Sequence, residues 1–204
     1  MKILYGTGNL AKLDAMRKII KSYGFDVELY TIKDIGFDKD IIEDGKTFEE
    51  NSEIKARSIQ EFCIQNNITD KIIITDDAGL CVDKLNGEPG IYTARYAGEN
   101  STQVECINKL LKNLSQYTNM QDRSCKFVCV LTAILPDGEK IVARGECYGT
   151  IALKPGKLGG LTYGPIFIPK GFDKPMGDMK EEEYAEVHNH RDLAMRELIK
   201  KIAK

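Results

Sequence analysis

Apolar residues at Leu13, Met16, Ile19 and Ile20 repeat with the spacing of one helix face, directly after an apolar run, Ile3-Leu4-Tyr5, that reads as a strand. Phe25 to Ile32 reads as a second strand. Thr47 followed three residues later by Glu50 carries the pattern of a helix N-terminus and opens a predicted helix through about Cys63. The run Lys71 to Ile74 then predicts a buried strand. From Ser101 to Leu114 the apolar face is Val104, Ile107, Leu110, Leu111 and Leu114. Two strand-like segments, Cys125 to Leu135 and Lys140 to Ile151, flank Pro136-Asp137-Gly138-Glu139 and predict a hairpin. Pro155 to Pro169 is rich in Gly and Pro with short apolar pieces, and Asp192 to Ala203 closes the chain as an amphipathic helix. Strands alternating with helices predict an α/β fold, and no repeat or low-complexity linker divides the chain.

Composition narrows this picture to one soluble domain spanning residues 1–204. A chain of 204 residues with 42% hydrophobic content can bury a core. No apolar run approaches the roughly 20 residues needed to span a bilayer. Met1 leads directly into the first strand with no signal-peptide pattern, so a cytoplasmic location is expected. The net charge of −2 leaves no global electrostatic footprint for nucleic acid or a membrane surface. The cysteines at 63, 81, 106, 125, 129 and 147 form no Cys-x-x-Cys pair and mostly lie in apolar segments, which indicates neither zinc nor disulfides.

The densest candidate chemistry is Asp76-Asp77, expected at the end of the buried strand and followed by Ala78-Gly79. Two carboxylates there can hold Mg²⁺ through hard oxygen ligands, and one can orient a water toward phosphorus. Capping of a turn is the alternative reading. Glu43, on a loop before the second helix, can point at the same cation, and Lys55, two turns into that helix, can reach a phosphate or pair with an acid. Near the N-terminus, Gly6-Thr7-Gly8-Asn9 feeds the first helix, whose free N–H groups favour an anion. Lys12, the Thr7 hydroxyl and the Asn9 amide can bind a phosphate there, although Thr and Asn are also ordinary helix caps and the spacing is not that of a P-loop. His188 and His190 have no third ligand nearby in sequence.

These blocks, in this order, resemble the inosine triphosphate pyrophosphatase-like family, the non-canonical purine NTP pyrophosphatases. The resemblance rests on Thr7-Gly8-Asn9-Leu10-Ala11-Lys12, Gly45-Lys46-Thr47-Phe48-Glu49-Glu50-Asn51 with Lys55-Ala56, and Asp76-Asp77 through Arg95-Tyr96. It continues through Asp122-Arg123-Ser124 with Phe127, Gly145 to Ile151, Pro165-Ile166-Phe167 and His190-Arg191. It implies an elongated mixed sheet flanked by helices in two lobes with a central cleft, and usually a homodimer. The implied activity is Mg²⁺-dependent cleavage of ITP, dITP or XTP to the monophosphate and pyrophosphate. Asp77 would be the general base and a metal ligand, with Glu43 and Asp76 completing the metal site. Thr7, Gly8, Asn9, Lys12, Lys55, Ala78, Arg95, Thr162, Tyr163, His190 and Arg191 would contact the nucleotide.

The chain also departs from the family pattern. Ile42 stands where an acid is usual, and Ala78 where a Ser follows the aspartates. The base-pocket block reads Leu161-Thr162-Tyr163-Gly164-Pro165 in place of Phe-Gly-Tyr/Trp-Asp-Pro, so an aromatic and a carboxylate are missing. Ala185 replaces a Lys expected to recognise the 6-oxo group of the purine. Loss of several polar contacts together should loosen base selectivity. Two alternatives therefore stay open: the same fold with preference shifted to a modified pyrimidine or another NTP, and a low-turnover nucleotide-binding protein.

Overall fold

The computed structural model describes residues 1–24, 26–160 and 163–202. Phe25, Leu161, Thr162 and Ala203 of the segments above lie outside the described residues. Strand β1 (Lys2–Tyr5) leads to helix α1 (Leu10–Ser22), strand β2 (Glu28–Thr31), helix α2 (Phe48–Gln65) and strand β3 (Ile72–Val82). Helix α3 (Gln103–Asn113), strands β4 (Ser124–Ile134) and β5 (Lys140–Ile151), the short β6 (Phe167–Pro169), and helices α4 (Glu181–Glu186) and α5 (His190–Ile202) follow. The strand order is β2-β1-β3-β4-β5-β6. β1 is parallel to both β2 and β3, whereas β5 and β6 are antiparallel, so the expected mixed α/β architecture is present.

The chain divides into two compact units. One comprises Met1–Asp77, Cys129–Gly145 and Arg191–Lys204, and the other Ala78–Val128 and Glu146–His190. Neither is a single stretch of sequence, which is why no linker or compositional boundary marks them. In the first unit Leu4, Ala56, Ile59, Cys63, Ile73 and Ile134 form a buried cluster with Phe37. In the second, Leu80, Val82, Ile107, Leu110, Phe127, Ile151 and Phe167 do the same. Each such large side chain contributes about 1.5–3 kcal/mol on burial. The periodic positions Leu13, Met16, Ile19 and Ile20 of α1 are all buried, as their spacing predicts.

Thr47 caps α2 by accepting from Glu50 N at 3.1 Å. Glu50 returns its carboxylate to Lys46 N, one residue earlier than a reciprocal box requires. The full box occurs instead at α3, between Thr102 and Glu105. Among the described residues no helix is long and apolar enough to cross a membrane. All six cysteines are free thiols.

One expectation is corrected. Asp76-Asp77 lies in the middle of an 11-residue strand rather than at a strand end. The strand does not stop because Thr75, Leu80 and Val82 on either side of the pair are fully buried and hold it in place. The chain turns only later, where Asn86 and Gly87 adopt positive φ of 52° and 88°.

Candidate active site

The site in the first unit begins at the end of β1. Gly6 is required there by close approach: a Cβ would stand 2.5 Å from Ile59 Cδ1 and 2.6 Å from Thr75 Cγ2. The turn that follows is fixed by its own side chains. Thr7 Oγ1 accepts from Asn9 N at 3.1 Å, and Asn9 Oδ1 accepts from Lys12 N at 3.3 Å. Thr7 and Asn9 are thus turn and cap residues in this structure, while Gly8 and Asn9 are exposed. The first turn of α1 carries no acid, so its positive dipole end is not neutralised locally.

Successive side chains of a strand point to opposite faces, and Asp76 and Asp77 accordingly take different partners. Asp76 is buried, with Lys12 Nζ 3.0 Å and the Arg191 guanidinium 3.5 Å from its Oδ2. The buried Tyr5 hydroxyl donates to Asp76 Oδ1 at 2.9 Å. Burial pushes this carboxyl upward, but the charges of Lys12 and Arg191 outweigh it and hold the group well below the ordinary range. Burial also pushes the Tyr5 phenol well up, reinforced by the Asp76 charge. One acid against two cations leaves this cluster with a net charge of +1.

Asp77 sits in the opposite balance. Lys55 Nζ lies 2.7 Å from Glu43 Oε2 and 3.6 Å from Asp77 Oδ1, so one ammonium serves two carboxylates and the net charge is −1. Burial raises the Asp77 carboxyl above its ordinary value, against the Lys55 charge and a hydrogen bond from Asn51. Asn51 is itself buried, and its Oδ1 accepts from Gly45 N at 2.9 Å. Ser52 and Thr75 lock α2 to β3 next to the pair: Thr75 Oγ1 donates to Ser52 O at 2.7 Å, and Ser52 Oγ to Thr75 O at 3.2 Å.

The expected ligand set of Glu43, Asp76 and Asp77 is therefore not gathered. Among the described residues no group of three His, Cys, Asp or Glu is arranged to hold a metal ion. Asp76 is surrounded by Lys12, Arg191 and Tyr5. Glu43 and Asp77 do fit a hard divalent cation, because Mg²⁺ is usually held by one or two carboxylates with substrate phosphates and water filling the rest.

The other expected contacts fall in the second unit, apart from Thr162, which lies outside the described residues. Ala78 follows Asp77 in β3 and is half-buried. Arg95 pairs with Glu99 at 3.6 Å and lies over the Tyr92 ring. Tyr163 is wholly buried in the core, its hydroxyl 3.3 Å from Thr93 O. His190 is buried and stacks on Phe127, ring centroids 4.9 Å apart, which is the structural role open to a lone histidine. His188 is exposed.

The Ham1 family model matches residues 3–201. The chain belongs to the Ham1 family. It is 37% identical over 197 residues to the dITP/XTP pyrophosphatase of Clostridium perfringens, covering 97% of this chain and 95% of that one. It is 36% identical over 202 residues to the dITP/XTP pyrophosphatase of Bdellovibrio bacteriovorus, covering 99% and 98%. Among solved structures it is similar to the Staphylococcus aureus Ham1 protein, with a TM-score of 0.83, 34% identity and 100% coverage of both chains.

Within this Ham1 chain the atypical positions have distinct surroundings. Ile42 is 78% exposed beside Glu43, Gly164 is buried, and Ala185 is exposed on α4. Two residues of the site, Tyr5 and Asn51, were not legible as functional. Tyr5 reads as a core residue of β1, and Asn51 reads only as part of the Gly45 to Asn51 block.

Proposed function

We propose that this Ham1 family chain hydrolyses non-canonical (deoxy)nucleoside triphosphates, ITP, dITP and XTP, to the monophosphate and pyrophosphate, using Mg²⁺, as a homodimer serving the cytoplasmic nucleotide pool. The observation that carries the reading is the division of labour between adjacent acids: Asp76 pairs with Lys12 and Arg191, while Asp77 and Glu43 both reach Lys55. The full-length similarity to dITP/XTP pyrophosphatases supports it.

In this reading Lys12 and Arg191, held by Asp76, supply the positive charge that binds the triphosphate, aided by the N-terminus of α1 with Thr7, Gly8 and Asn9. Asp77 orients the attacking water and accepts its proton. Its raised carboxyl makes it a better base than an exposed aspartate. Lys55 moves between balancing Glu43 with Asp77 and contacting phosphate. Glu43 and Asp77 would hold Mg²⁺, which supplies neutralisation of phosphate charge when bound. Arg95, Thr162, Tyr163 and His190 belong to the base side of the proposal.

A second reading, a shifted base preference, is favoured by Gly164 and Ala185, which place no charged group where the family pattern has an acid and a lysine. Pyrophosphate release with and without Mg²⁺, across ITP, dITP, XTP, dUTP and the common ribo- and deoxyribonucleotides, separates the two. Preference for ITP, dITP and XTP supports the first. Activity confined to other nucleotides supports the second, and release from none of them overturns both.

A further inference from the structure

Asp76 divides its two oxygens between unlike partners. Oδ2 takes both cations, Lys12 Nζ at 3.0 Å and the Arg191 guanidinium at 3.5 Å, whereas Oδ1 accepts from the Tyr5 hydroxyl at 2.9 Å. The sheet register brings a residue 71 positions away to this oxygen. β1 runs parallel to β3 with Tyr5 paired to Ile74, and Asp76, two residues on, lies on the same face as Ile74. The next residue, Gly6, donates to Ile74 O at 2.7 Å and fixes the end of β1 against β3. A phenol reaches along the neighbouring strand to Oδ1, whereas leucine or phenylalanine would fill the space without a donor. Tyr5 is fully buried and Asp76 is 2% exposed, so bulk water does not compete for the contact, while Lys12 keeps 29% of its side chain open to solvent.

From this arrangement we infer that Tyr5 is a positioning residue: its hydroxyl fixes the rotation of the Asp76 carboxylate so that Oδ2 holds Lys12 and Arg191 together, set for a polyphosphate. All four residues belong to the first unit. A neutral donor suits Oδ1, because a third cation there would add charge to a cluster that already carries two cations against one acid. A carboxylate that is not pinned can turn about its terminal torsion, and the cations then lose their common reference. Phenylalanine keeps the ring and its packing and removes only the hydroxyl. The inference deepens the proposed function and rests on it for the role of Lys12 and Arg191 in binding the triphosphate.

The test uses Tyr5→Phe, Asp76→Asn and the double variant of the full chain, read by calorimetric titration with inorganic tripolyphosphate without Mg²⁺ and by steady-state kinetics with ITP and Mg²⁺. Tyr5→Phe is expected to weaken tripolyphosphate binding by about tenfold, the low end of what a hydrogen bond to a charged group contributes. KM for ITP should rise by a similar factor with little change in kcat, the mark of binding lost equally from ground and transition states. Adding Tyr5→Phe to Asp76→Asn should cause no further loss, because the hydroxyl acts through the carboxylate. Unaltered tripolyphosphate affinity in folded Tyr5→Phe overturns the inference whatever its stability, as does a full additional loss in the double variant or a fall in kcat at unchanged KM. No tripolyphosphate binding by the wild type overturns it as well. Should Tyr5→Phe fail to fold, Asp76→Glu decides: it keeps the charge and moves the oxygens by one methylene, and unaltered affinity is then the overturning result. If the wild type binds tripolyphosphate but cleaves no nucleoside triphosphate, the proposed function falls, while weaker binding in Tyr5→Phe still supports the positioning role.

Discussion

Lys12 Nζ stands 3.0 Å from Asp76 Oδ2, joining the first turns of α1 to the middle of β3 across 64 residues of sequence. With Arg191 on the same oxygen, the acid serves as an anchor for two cations. Asp76→Asn would leave both cations without their anion. Breaking a buried pair in this way costs about 3–5 kcal/mol. Urea denaturation should show a loss near the lower end of that range, because Lys12 keeps partial access to water. A stability change within about 0.5 kcal/mol would show that the anchor is not needed for folding.

Asp77 has a different dependence. Asp77→Asn is expected to lower kcat for ITP by about 10²–10⁴-fold, the range for loss of a general base, while nucleotide affinity changes little. Equilibrium binding and single-turnover kinetics read the two separately. A variant with near-normal turnover would remove Asp77 from the role of base.

Arg123 is a buried cation held by carbonyls. Its guanidinium donates to Ile151 O, Leu114 O, Tyr117 O and Ala152 O at 2.7–3.0 Å, clamping the end of α3 to the end of β5. Arg123→Met keeps the volume and strands these acceptors at about 1–3 kcal/mol for each one left dry. A loss of at least about 3 kcal/mol in denaturant is expected, and Arg123→Lys should recover little of it because an ammonium cannot span the fork. Full recovery by lysine would contradict the clamp.

Tyr96 gives a pH dependence. Burial, then a hydrogen bond to Glu88, pushes its phenol up to about 12. A folded pKa above the unfolded value of about 10 favours the neutral form in the native state. Its contribution is therefore complete below about pH 10 and lost as pH rises toward about 12. Wild type should lose stability across that window more steeply than Tyr96→Phe in parallel urea denaturations. Parallel curves would refute the assignment.

Gly164→Asp with Ala185→Lys restores the two charged groups that the family pattern places on the base side. If their loss loosened the pocket, the double variant should raise the ratio of kcat/KM for ITP over ATP by about tenfold, as expected for restored polar contacts. An unchanged ratio would place base selection elsewhere.

Much of this arrangement is readable from the chain alone. The periodic face of α1, the β4–β5 hairpin and the Thr47 cap follow from local spacing and turn chemistry, and each is present; along α3 and its C-cap, Ile107, Leu110 and Leu114 are buried, but Val104, expected on the same face, is exposed. What local spacing does not carry is long-range pairing. Tyr5 meets Asp76 across 71 residues, and nothing near Tyr5 distinguishes it from Leu4. Adjacency in sequence also hides a difference: Asp76 and Asp77 follow each other in β3 but take different partners, Lys12 and Arg191 for the first and Lys55 for the second. α4 is not legible in the sequence because its six residues, Glu181–Glu186, offer no apolar repeat. Tyr163, a base-side residue by resemblance, is also wholly buried among the core side chains of the second unit, which its Gly- and Pro-rich segment does not signal.

The central claim is that the site cleaves a triphosphate to monophosphate and pyrophosphate with Asp77 as base, and ³¹P NMR of ITP turnover in Mg²⁺ tests it most directly. IMP and pyrophosphate signals should grow together, with no inosine diphosphate or orthophosphate, and both should be absent with Asp77→Asn. Formation of the diphosphate and orthophosphate, or unchanged product growth with Asp77→Asn, would contradict it.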